Sequence, residues 1–85
     1  MTYTLLYHSA APGYRQAELR RSDGAQYRIR LMSGSHPRVE RTVRDALSGE
    51  TIVMVLPPWE RECQVVLSEC ARQGVTLAEE VTDVA

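Results

Sequence analysis

The chain has 85 residues, of which 25% are charged and 44% hydrophobic, with a formal net charge of −1. These values describe one globular domain, 1–85, neither polar enough for disorder nor basic enough for a general nucleic-acid binder. The longest apolar run, Ile52 to Pro58, falls far short of the roughly 20 residues that a membrane helix needs. Met1 to Ala10 lacks the basic start and long apolar stretch of a secretory signal, so the expected compartment is the cytoplasm.

Thr2 to His8 alternates weakly, is rich in Tyr, Thr and Leu, and reads as a strand; Ser9 to Gly13 reads as a loop. Ser22-Asp23-Gly24 is a turn signal between two alternating runs, Ala17 and Leu19 before it and Tyr27, Ile29 and Leu31 after it. A β-hairpin follows, with Arg28 and Arg30 on the face opposite Tyr27, Ile29 and Leu31. The competing reading makes Tyr14 to Arg21 a short helix, because Gln, Ala, Glu, Leu and Arg are good helix formers.

Ser33 to Pro37 reads as a loop, and Ser35 or His36 can cap a helix beginning at Pro37. Val39, Val43, Ala46 and Leu47 form its apolar stripe, and Gly49 sits where a C-cap belongs. Thr51 to Leu56 (TIVMVL) is uniformly apolar, which suits a central strand covered on both faces. After Pro57-Pro58 a second helix runs to about Gln73 on Trp59, Cys63, Val66, Leu67 and Cys70, with Gly74 as its stop. Val75 to Val81 reads as an acidic edge strand. The order β-β-β-α-β-α-β predicts an α+β two-layer sandwich: a mixed sheet of about five strands with both helices on one face.

The residues VMVLPPWERECQVVLSECARQGVTLAEEV resemble the end of the Clp protease adaptor family and of the ribosomal stalk protein's C-terminal domain, which also finish in strand, long amphipathic helix and short strand. The likeness is one of pattern, over about a third of the chain, and implies a protein-binding module. The adaptor family reads substrate N-termini with an Asn-Asp pair after its first strand; here His8-Ser9-Ala10-Ala11 stands there, so no functional residue carries over.

Charge is divided along the chain. Met1 to Arg44 carries eight arginines against three carboxylates, net +5; Asp45 to Ala85 carries two against eight, net −6. All ten basic residues are arginine, which codon usage or selection for planar bidentate donors would produce. The partner surface expected is therefore Arg20, Arg21, Arg28, Arg30, Arg38, Arg41 and Arg44, docking a small non-enzymatic adaptor or inhibitor on an acidic protein. Nucleic acid bound by the same arginines is the first alternative, although the aromatics alternate away from Arg28 and Arg30. The second is an anion-binding or enzymatic subunit at Ser35, His36 and Arg38, on the N-terminus of the expected helix. Self-association of the basic half with the acidic half is also open.

No catalytic set, metal site or cofactor is expected. His8 and His36 are not brought together by any pattern, and no serine has an elbow motif. Glu60/Glu62 and Glu79/Glu80 read as solvated faces. Cys63 and Cys70, seven positions apart on one helix, read as small buried hydrophobes and not as a disulfide. Trp59 reads as a core cap, with an exposed partner anchor as the alternative.

Overall fold

The computed structural model describes residues 2–32 and 36–75. Five strands, β1 (Tyr3–Ala11), β2 (Tyr14–Arg21), β3 (Gln26–Met32), β4 (Arg38–Arg44) and β5 (Thr51–Leu56), precede one helix, α1 (Arg61–Arg72). The sheet order is β1-β2-β3-β4-β5, and every neighbouring pair is antiparallel. The expected mixed sheet with two helices is therefore corrected to an antiparallel meander with one helix on one face.

The β2–β3 hairpin forms as its alternation predicts, with Gly24 at φ 98° in the turn. The expected helix after Pro37 is strand β4. A spacing of four is one helical turn but also two strand periods, so Val39 and Val43 share a face in either conformation. The β-branched Val39, Thr42 and Val43 favour the extended one. The expected strand 75–81 lies outside the described residues except for Val75, which is buried and not in a strand.

The core lies between the sheet and α1. Ala17, Leu19, Tyr27, Ile29, Leu31, Val39 and Leu56 from the strands meet Cys63, Val66 and Cys70 from the helix. Cys63, Val66 and Cys70 recur at helical spacing, so one stripe of α1 is buried. Both cysteines are free thiols in this core, as expected for small hydrophobes. Trp59 lies before the helix and is 77% exposed, so it does not cap the core.

The two sheet edges differ. The amide of Ser22 bonds the carbonyl of Thr2, so Tyr3 and Leu5 direct their backbone groups outward from β1. The side chain of Gln73 caps the start of that edge: Leu5 N–H donates to its Oε1 (3.2 Å), and its Nε2 donates to the Tyr3 carbonyl (3.0 Å). β5 is the other edge. The expected central strand is thus an outer one, and Ile52, Val53, Met54 and Val55 are each between 44% and 57% exposed. No helix among the described residues is long and apolar enough to cross a membrane.

Candidate functional site

Residues paired across an antiparallel sheet share a face, so the register sorts the arginines. One row is Thr4, Arg20, Gln26, Thr42 and Val53; the next is Tyr7, Glu18, Arg28, Glu40 and Val55. Beyond them lie Ser9, Gln16, Arg30 and Arg38, then Ala11, Tyr14 and Met32. This face is opposite the one on which α1 packs, and no described element covers it. Arg20, Arg28, Arg30 and Arg38 therefore stand together on an open face, and Arg44 falls on the same side by alternation along β4.

Acidic residues on this face set its charge. The Arg30 guanidinium donates to Glu40 Oε2 at 2.9 Å and that of Arg38 at 3.1 Å, while Arg28 lies 3.5 Å from Glu18. Glu40 is 7% exposed, the one buried polar residue among those described. It keeps two arginines apart that the β3–β4 register sets opposite each other. Arg20 is exposed and has no ion pair among the described residues.

Tyr7, Met32, Val53 and Val55 add exposed apolar surface to the same face. Tyr14 belongs to it too, its hydroxyl hydrogen-bonded to Gln16 Oε1. The expectation that aromatics alternate away from the arginines holds for Tyr27 and fails for Tyr7 and Tyr14. Tyr7 reaches this face because the pairing slips between Leu5 and Tyr7, and a one-residue bulge reverses the facing of all that follows. The pattern Tyr3, Leu5, Tyr7 gives no sign of that slip.

Arg21 and Arg41 belong to the opposite face, where they hold the helix to the sheet. Glu62 of α1 accepts hydrogen bonds from the Tyr27 hydroxyl (2.6 Å) and Arg41 Nη1 (2.9 and 3.0 Å), and Arg21 Nη1 is 3.6 Å away. Arg21 also stacks over the Tyr27 ring at 5.7 Å and bonds Asp23 at 2.8 Å, which holds the Asp23 carboxyl pKa down to about 2. Burial raises the Glu62 carboxyl, but the bonds from Tyr27 and Arg41 and the two positive charges outweigh it, leaving it below its ordinary value. Burial, then the bond to Glu62, pushes the Tyr27 phenol up. Glu62 is thus a structural anchor, which corrects the expectation that the pair Glu60/Glu62 is a solvated face.

The anion site expected at Ser35, His36 and Arg38 loses its helix N-terminus, because Arg38 opens a strand. Ser35 lies outside the described residues, His36 is exposed, and Arg38 is turned to Glu40. Comparison with protein-family models, with curated proteins and with solved structures gives no match.

Proposed function

We propose that the protein is a stoichiometric interaction domain, an adaptor or inhibitor, that docks the open face of its sheet on an acidic protein surface. The observation that carries this reading is the uncovered face itself, where Arg20, Arg28, Arg30 and Arg38 stand among exposed Tyr7, Met32, Val53 and Val55. Arginine, tyrosine and methionine are enriched at protein interfaces, and an apolar border around arginines supplies the desolvation that strengthens their bonds to carboxylates. Arg21 and Arg41 are no longer part of the surface proposed, since Glu62 uses them.

Single-stranded nucleic acid is the competing ligand, and Tyr7 and Tyr14 on the arginine face favour it as stacking platforms. The carboxylates weigh against it. Glu18 and Glu40 neutralise part of the charge of Arg28, Arg30 and Arg38, whereas phosphate binding draws on uncompensated cations.

The test is capture from host lysate by the tagged chain and by the variant Arg20→Glu/Arg28→Glu, with and without nuclease. Both side chains are exposed, so the fold should survive, as circular dichroism would show. A stoichiometric protein that resists nuclease and is lost with the variant supports the reading. Partners retained by the variant, or lost on nuclease treatment, overturn it.

A further inference from the structure

The outer edge of β5 is a strand without a partner among the described residues, and its bonding phase is fixed. At the mouth of the β4–β5 hairpin the Asp45 amide donates to the Glu50 carbonyl at 2.8 Å. Bonded and non-bonded pairs alternate from there, so Ile52, Met54 and Leu56 bond β4, and Thr51, Val53 and Val55 direct N–H and C=O outward. That leaves six backbone groups on one edge. The segment Thr51–Leu56 carries no charge, and four of its apolar side chains are exposed on both faces of the sheet. Proteins ordinarily protect such an edge with charge, proline or a covering element. On β1 Gln73 covers the Tyr3–Leu5 end, and no described residue covers β5.

We propose that a second copy of this chain pairs with β5, antiparallel, about a two-fold axis through Val53. The register follows from the free groups. An axis through Val53 sets Thr51 against the partner's Val55 and Val53 against the partner's Val53, and all six outward groups of each chain are bonded. An axis through Met54 would set Thr51 against the partner's Pro57, which has no N–H. An axis between residues would oppose side chains of different faces, which antiparallel pairing forbids.

The side chains agree with that axis. On the helix side Ile52 meets the partner's Met54, and on the open side Val53 meets the partner's Val53 and Thr51 the partner's Val55, with no charge opposed to like charge along the strand. Leu47, 98% exposed, lies in the turn before β5 and Trp59, 77% exposed, in the turn after it, so antiparallel pairing sets the end that carries one beside the partner's end that carries the other. These are the two most exposed large apolar side chains among those described. Because an isologous pair uses up the edge it is made from, assembly closes at two.

The full chain is tested by analytical ultracentrifugation across a dilution series, beside Val53→Pro and cysteine variants. The Val53 N–H faces outward, so proline there leaves the β4 bonds intact. The expected result is a dimer for the parent chain, and for Val53→Pro at least a tenfold weaker association with unchanged circular dichroism. Under mild oxidation Val53→Cys should form an interchain disulfide, since bonded partners on the axis lie about 5.5 Å apart at Cα. Val55→Cys should form it only when Thr51→Cys is also present. A monomeric parent chain, a dimer indifferent to Val53→Pro, or equal cross-linking by Val53→Cys and Val55→Cys overturns the proposal. The Arg20→Glu/Arg28→Glu variant should dimerise as the parent does, which separates this result from the test of the arginine face.

Discussion

Glu62→Ala should remove the main polar link between α1 and the sheet. Arg41 would keep only the Met54 sulfur, 3.4 Å from Nη2, because its buried Nε has no hydrogen-bond partner. The Tyr27 hydroxyl would lose its partner, and Arg21 would keep Asp23. A bond to a charged group contributes about 1.5–3 kcal/mol, and breaking a fully buried pair costs about 3–5 kcal/mol. The side chains of Arg41 and Glu62 retain 26% and 22% exposure, so water offsets part of the loss. The expected destabilisation is about 2–3 kcal/mol, a lowering of the melting temperature by roughly 10–20 °C for a domain of this size. Tyr27→Phe, which leaves the Arg41 pair in place, should cost about 1 kcal/mol.

Urea unfolding followed by far-ultraviolet circular dichroism measures both variants; the exposed Trp59 is a poor reporter of the core. The pH dependence supplies the sign. The folded carboxyl of Glu62 lies below its ordinary value of 4.5, so the unfolded chain binds more protons near that pH. Its contribution is complete above the unfolded value and is lost as pH falls through the folded one. Parent and Glu62→Gln should therefore differ at pH 7 and converge in strong acid. A difference below about 0.5 kcal/mol at pH 7, or one unchanged in acid, would refute the anchoring role.

Two further outcomes follow from the packing. Glu40→Ala should leave Arg30 and Arg38 opposed across β3 and β4, costing about 1–2 kcal/mol, more at low salt than at high; urea titrations at two ionic strengths check this. Cys63 and Cys70 are at most 1% exposed, and burial, with Glu69 nearby, raises the Cys70 thiol to about 11. Alkylation at pH 8 should accordingly run roughly a thousandfold or more slower than in urea, following the opening of the fold.

How much of this was legible in the sequence depends on which partners lie close in the chain. The β2–β3 hairpin was readable because Asp23-Gly24 and the alternation of Tyr27, Ile29 and Leu31 are local. β4 was not. Arg41 interrupts its alternation, and the reason is Glu62, 21 residues further on. The apolar run of β5 was read correctly as a strand, but its composition alone does not distinguish a covered centre from an uncovered edge. Of the candidate site, Arg28 and Arg30 share the face that alternation predicts, and of the neighbours Arg20 and Arg21 only Arg20 joins them. Arg38 joins them only because β4 is a strand, and Tyr7 only because of the bulge. Cys63, Val66 and Cys70 were legible as a helical stripe, whereas the anchoring role of Glu62 depends on two other elements of the fold.

The bonds from Gln73 to Tyr3 and Leu5 also bear on how the molecule is made. Each strand pairs with the one just before it, so the meander can grow hairpin by hairpin as the chain leaves the ribosome. The Gln73 contacts span 68 and 70 residues and form only after the helix has been synthesised. Until then the Tyr3–Leu5 end of the first strand keeps an open outer edge, so the residue that caps the helix also caps the start of a strand that was made first. A Gln73→Ala chain should thus reach nearly the same sheet, yet carry that early vulnerability into its mature form.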